Sequence, residues 1–203
     1  MSDTVESLRP AILDATMVAI AARGVTGLRL DDVAAEARVA VTDVRELYDD
    51  TARLAAAALD RFAAEEIGRC DRIIDRLGDP EHEDDDVVLA LMDELERTFS
   101  RGDGGSIAQI ELYMAAARDP AVADTARRCI QAYVAMSERA LIAGGIPPDR
   151  AHACARWVTA MVDGFGLHGI ALGEPNYLPA DFPVALRALG SSADFTQENS
   201  SET

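Results

Sequence analysis

Residues 9–54 read RPAILDATMVAIAARGVTGLRLDDVAAEARVAVTDVRELYDDTARL, and the fold is decided here. Ile12, Leu13, Thr16, Met17 and Ile20 recur at three- and four-residue intervals, the stripe of an amphipathic helix that Gly24 ends. Leu30, Val33, Ala34 and Ala37 mark a short second helix, with Asp31 and Asp32 in its first turn, where negative charge is favoured. Arg38-Val39-Ala40 makes a tight connection to a third helix from about Val41 to Tyr48. Three short helices joined by turns of this spacing form a helix-turn-helix head.

Outward from the head the period stays helical, and no alternating run is long enough for a sheet. Leu54, Leu59, Phe62, Ile67, Cys70, Ile74 and Leu77 define a long fourth helix. A polar break, Gly78 to Asp86, holds Pro80 and the acidic run from Glu83 to Asp86. That run reads as a solvated loop and helix start, with a metal site as the alternative. Further helices are expected over Val87–Phe99, Ser106–Arg118, Pro120–Ala143, Pro148–Leu172 and Phe182–Leu189, with Pro120 and Pro148 at helix starts. Arg101-Gly102-Asp103-Gly104-Gly105 is a flexible connection. The expected architecture is all-α with about nine helices. The head (1–54) is joined by the long helix to a C-terminal helical bundle (55–190), and a polar, Ser-rich tail (191–203) reads as disordered.

With 203 residues and 49% hydrophobic content, the chain can bury a sizeable core. No apolar run approaches a membrane span, and the N-terminus has no secretory pattern. Cys70, Cys129 and Cys154 are odd in number and far apart, which suits a reducing cytoplasm. The net charge is −17, and all 19 basic residues are Arg. Weak non-specific affinity for nucleic acid follows, because that affinity rests on cations displacing counterions from phosphates. From Met1 to Leu54 there are six Arg against ten acids. The segment Val41–Asp50 carries Asp43, Glu46, Asp49 and Asp50 against Arg45 alone. A helix nevertheless presents one face at a time, so distribution matters more than the total.

The head resembles the DNA-binding domain of the tetracycline-repressor (TetR) family. The resemblance is carried by Arg9, Ile12-Leu13-Asp14-Ala15, Gly24, Val33-Ala34-Ala35-Glu36-Ala37-Arg38-Val39, Val44, Tyr48 and Leu54. The chain departs from the family pattern at Arg38, where a turn Gly is usual, and at Ala40, where a capping Ser is usual. It departs again at Arg45 for Tyr, Tyr48 for Phe and Thr51 for Lys. An Arg in a left-handed turn costs about 1 kcal/mol against Gly, so the turn is open to local change. Losing the cap costs about 0.5–2 kcal/mol, which Thr42 could partly restore. The resemblance implies Arg29, Thr42, Arg45 and Tyr48 as contacts to double-stranded DNA; Tyr48 reads equally well as core.

Glu111–Pro120 and Val162–Phe165 also resemble the family's ligand-binding and dimerisation domain, less specifically. The resemblance implies a homodimer built from Pro148–Leu172 and Phe182–Leu189, with Gly164, Gly166 and Gly169 admitting close approach. Two-fold symmetry would set two reading heads one helical turn apart, roughly 34–36 Å. It also implies a small apolar effector held in the bundle. Candidate walls are Met92, Phe99, Tyr113, Met114, Tyr133, Met136, Trp157, Met161 and Phe165, with His168 as the polar candidate. Each of these also reads as ordinary core or interface.

Enzyme chemistry finds little support. His152 and Cys154 are two apart and diverge on a helix, and no nucleophile motif or phosphate-binding glycine loop occurs. Neither a metal nor a cofactor is expected. The expected function is a cytoplasmic, ligand-responsive transcriptional regulator that binds a palindromic operator as a homodimer, repression being the family's commoner mode. The alternative is a ligand-sensing or protein-interaction module of the same fold that has lost DNA binding.

Overall fold

The structure, a computed structural model, describes residues 3–77, 105–174, 179, 181–182 and 184–185. The chain is all-α. The elements are α1 (Asp3–Glu6), α2 (Arg9–Arg23), a 3-10 turn (Val25–Gly27), α3 (Leu30–Ala37), α4 (Val41–Leu47), α5 (Thr51–Leu77), α6 (Gly105–Ala116), α7 (Pro120–Ala143) and α8 (Pro148–Leu172). Among the described residues there is no strand. The expected helix Val87–Phe99, the acidic run 83–86 and the tail 191–203 lie outside the described residues. So does most of Phe182–Leu189, of which Phe182, Val184 and Ala185 are helical.

The described residues fall into two compact units. One draws on Met1–Ile67 and Arg101–Cys129, the other on Gly68–Ser100 and Ile130–Thr203. In the first unit α2 packs on α3, α3 on α4, and α2 also on α6. The stripe read from the sequence is the one buried: Ile12, Leu13, Thr16 and Ile20 turn inward, with Val33 and Ala34 from α3 and Val44 from α4. Full burial of an Ile or Leu side chain contributes roughly 1.5–3 kcal/mol. The Thr16 hydroxyl, wholly buried, donates to the Ile12 carbonyl at 2.7 Å and so leaves no unpaired polar group.

Two local features depart from what a stable head would choose. Arg38 closes α3 at φ 57° and ψ 42°, the left-handed conformation. The turn therefore keeps its left-handed form without the glycine, at about 1 kcal/mol. Val39 N–H reaches the Ala34 carbonyl at 3.0 Å and Arg38 N–H the Ala35 carbonyl at 3.2 Å, satisfying the helix end. At the start of α4, Ala40 is extended and no side chain caps the helix, so Thr42 does not supply the missing cap.

In the second unit, the part of α5 beyond Gly68 buries Cys70 and Ile73; the buried line runs through Ile73, with Ile74 half-buried. Tyr133, Met136, Ala140 and Leu141 of α7 are buried, as are Ala151, Cys154, Ala155 and Val158 of α8. The hydroxyls of Ser137 and Thr159, both buried, pair at 3.3 Å, which only small side chains at the helix contact permit. Phe165 of α8 meets Phe182 edge to face, 5.6 Å between ring centroids. None of the three cysteines is in a disulfide, and all three are buried.

Candidate functional site

The seven residues of α4 divide cleanly by burial. Val44 and, just past the helix, Tyr48 are buried, while Thr42, Arg45 and Glu46 are exposed. Asp43 lies half-buried on the flank. The exposed side of this helix therefore offers one hydroxyl, one guanidinium and one carboxylate, a less acidic face than the segment's composition suggests.

Pairing decides which of the head's charged groups are already engaged. Arg9 binds Glu6 through two contacts of 2.5 and 2.9 Å. Arg23 pairs with Asp32, Arg53 with Asp49 at 3.0 Å, and Arg61 with Asp14 at 2.8 Å and Glu65 at 2.9 Å. Asp50 is engaged as well, accepting from the Arg53 backbone N–H at 2.7 Å. Arg29, Arg38 and Arg45 are exposed and, among the described residues, have no side-chain hydrogen bond or ion pair. Asp31, Glu36, Asp43 and Glu46 are the acids of α3 and α4 left in the same condition. Arg29 stands just before α3, Arg38 in the turn and Arg45 on α4, so the uncommitted cations follow the helix-turn-helix itself. Each pair removes one cation with one acid, so the acid surplus persists: three uncommitted Arg stand beside four uncommitted acids on α3 and α4.

Of the four residues expected to touch DNA, three are on the surface and one is not. Tyr48 is 5% exposed, and its hydroxyl accepts from Arg9 Nη1 at 2.9 Å. The Arg9 guanidinium also lies 5.4 Å from the centre of the Tyr48 ring. Tyr48 is thus a packing residue that ties the N-terminal segment to the end of α4. The Arg9 guanidinium holds the Glu6 carboxyl below its usual range. Sequence reasoning placed Arg9 in the motif without this role, since its partner lies 39 positions away.

In the sequence Glu111 opens the Glu111–Pro120 stretch, with no role of its own. In the structure its Oε2 accepts from the Val25 backbone N–H at 3.2 Å, at the start of the 3-10 turn. Gly24, at φ 71°, makes room: a Cβ there would come within 3.1 Å of Glu111 Oε1. A side chain of α6 thereby holds the junction between α2 and α3, across 86 residues of sequence that no local signal spans.

The candidate ligand residues that are described fall in both units. Met92 and Phe99 lie outside the described residues. Tyr113 is half-buried, its hydroxyl accepting from Gln109 at 3.0 Å, whereas Met114 is exposed. These two belong to the first unit. In the second unit Tyr133 and Met136 are buried, Met161 and Phe165 half-buried, and His168 exposed. Trp157 is 57% exposed, a surface position on α8. Leu167, Ile170 and Leu172 are exposed too, beside His168, so the C-terminal end of α8 carries large apolar side chains on its outer side. Among the described residues no cluster of His, Cys, Asp and Glu could hold a metal ion, and no helix is long and apolar enough to cross a membrane.

Comparison with known proteins agrees with this architecture. Residues 82–192, more than half of the chain, match the family model described as the tetracyclin repressor-like C-terminal domain. No curated protein matches the chain. Among solved structures it is similar to a member of the TetR family (SCO1917) from Streptomyces coelicolor A3, with 26% identity, a TM-score of 0.66, and coverage of 90% of this chain and 97% of that one. It is also similar to the multidrug binding protein EbrR complexed with ethidium, with 25% identity, a TM-score of 0.63, and coverage of 90% and 98%. A transcriptional regulator (RHA1_ro04179) from Rhodococcus sp. Rha1 shares the fold, at 23% identity, a TM-score of 0.64 and coverage of 90% and 93%. The chain belongs to the tetracycline-repressor family of transcriptional regulators.

Proposed function

We propose that this chain is a cytoplasmic, non-enzymatic regulator, a repressor, that binds a palindromic operator as a homodimer and responds to a small apolar molecule. The observation that carries DNA binding is the distribution of guanidinium groups. Arg9, Arg23 and Arg53 are committed to acids within the head, while Arg29, Arg38 and Arg45 are not. In a helix-turn-helix the second helix enters the major groove and the first crosses the backbone. Arg45 and Thr42 are then placed to read base edges, and Arg29 to hold a phosphate.

Dimerisation is supported by the outer side of α8. Ala153, Trp157, Ala160, Leu167 and Ala171 are all exposed and fall at helical spacing, and nothing lies within 4 Å of where a Gly164 Cβ would stand. A helix that is apolar on both sides needs a second covering surface. A second copy of the chain, meeting it about a two-fold axis, supplies one and presents two heads to one duplex.

The effector would lie among the C-terminal helices and act by binding the two states of the dimer unequally. EbrR is described as a multidrug binding protein, complexed with ethidium. Ethidium is therefore a reasonable first probe here. Glu111, two positions before Tyr113 and bonded to Val25, offers a route from α6 to the head.

The test is selection of bound duplexes from a random library at low salt, repeated with Arg45→Ala. The expected result is a palindromic consensus for the natural chain and, for the variant, weaker enrichment with that consensus relaxed at one position per half-site. Uncommitted Asp31, Glu36, Asp43 and Glu46 favour a second reading, a sensing or interaction module without DNA binding. Absence of any enriched duplex at low salt would establish that second reading in place of the first.

A further inference from the structure

We infer that Arg38 is a phosphate-contacting residue, held in the helix-turn-helix turn for its charge although the backbone there suits glycine. The inference rests on the DNA-binding reading above and adds to it a residue outside the recognition helix.

Among the described residues three helices close with a left-handed residue. After α7 the chain uses Gly145 at φ 90°, after α8 Gly173 at φ 69°, and after α3 Arg38 at φ 57°. The hydrogen bonding is the same each time. Ile146 N–H reaches the Leu141 carbonyl at 2.9 Å, Glu174 N–H the Gly169 carbonyl at 2.9 Å, and Val39 N–H the Ala34 carbonyl at 3.0 Å. Backbone groups perform the closure, so the side chain contributes nothing to it. Among the described residues Arg38 is the one non-glycine at positive φ.

Nor does the fold engage the Arg38 side chain. It is exposed and makes no hydrogen bond or ion pair among the described residues, although Glu36 is two positions away and Asp43 is in the next helix. Arg23, Arg53 and Arg61 all found acidic partners. A residue in a disfavoured conformation that the surrounding structure does not use points to a use outside it. The turn lies between the helix that crosses the DNA backbone and the helix that enters the groove, beside a groove wall lined with phosphates. A guanidinium there binds a phosphate without reading sequence.

A rival account keeps Arg38 inside the fold: a cation near the C-terminal end of α3 is attracted by the helix dipole. The two accounts separate in Arg38→Gly, a variant whose backbone conformation the turn already accepts. The experiment measures thermal unfolding and binding to the selected operator across a salt series, for the natural chain, Arg38→Gly and Arg38→Lys. For Arg38→Gly we expect an equal or higher melting temperature and an unchanged consensus. Its salt slope should be lower by about 1.8 per dimer, one phosphate per head, equivalent to a loss of roughly 60-fold in affinity at 0.1 M salt relative to 1 M. Arg38→Lys should recover most of the slope. Unchanged affinity and slope in Arg38→Gly overturn the inference while leaving DNA binding standing, and so does weakened binding with an unchanged slope. Failure of the natural chain to bind any duplex removes both.

Discussion

Around α3 and α4 the exposed side chains are mostly charged, Arg29, Arg38 and Arg45 with Asp31, Glu36 and Glu46, whereas along α8 the exposed ones include the large apolar Trp157, Leu167, Ile170 and Leu172 beside His152, Arg156 and His168. The two surfaces behave differently in water. Exposed charge is well solvated, so it can stay open and bind a polyanion reversibly, with strength set by salt. Exposed large apolar groups gain roughly 1.5–3 kcal/mol each on burial, so they favour a standing association. One part of the chain suits a partner that comes and goes, the other a partner that stays.

The apolar surface gives the largest expected effect. Replacing Trp157 and Leu167 by Asp should weaken self-association by 100-fold or more, since a central interface Trp alone carries about 2–4 kcal/mol. Sedimentation equilibrium would show it, and an unchanged molecular mass in the double variant would break the comparison at that end. On the charged surface, Arg45→Ala should lower operator affinity by about 1–3 kcal/mol per half-site, roughly 5- to 150-fold for each, and relax the preferred sequence at one position per half-site. Competition binding reads both, and a loss shared equally by unrelated duplexes would make Arg45 a phosphate contact instead.

Smaller effects concern what holds these surfaces in place. Glu111→Ala removes the acceptor for Val25 N–H and should cost about 1 kcal/mol, lowering the melting temperature by roughly 2–4 °C. If Glu111 also links α6 to the head, any ligand-induced change in operator affinity should shrink with it. Glu111→Gln, which keeps an acceptor oxygen, should lose much less stability. The smallest effect belongs to Glu6. Its folded pKa is lowered below 4.5 by the hydrogen bond from Arg9, so its contribution is complete above that pH and fades as pH falls through the folded value. Glu6→Gln should therefore reduce acid resistance slightly, and pH-dependent melting curves of the two proteins should converge at low pH.

Much of the fold was readable before any coordinates. Ile12, Leu13, Thr16 and Ile20 are buried as their spacing predicts, and Gly24 ends α2, because helix periodicity and end signals are local properties of the chain. The Arg at the turn was visible, and so was the price of the left-handed backbone it occupies. The site was less legible. Tyr48 stood open between surface and core, and its burial depends on Arg9 reaching it from another helix. Trp157 read as a pocket wall because an apolar side chain on a bundle helix is expected inside, yet on α8 it is exposed. Glu111 gave no signal at all, since a carboxylate that binds a distant backbone N–H looks like any helix acid.

By itself the sequence determined the helices, the helix-turn-helix spacing, the acid surplus and the family resemblance, all of which follow from residue types a few positions apart. Only the tertiary structure decided which of the head's guanidinium groups are spent on acids and which are left over, that Tyr48 is core, and that Glu111 clasps the α2–α3 junction. Ion pairing and burial depend on distances between elements, and a distance across 39 or 86 residues is set by how helices pack, not by the order of the residues they carry.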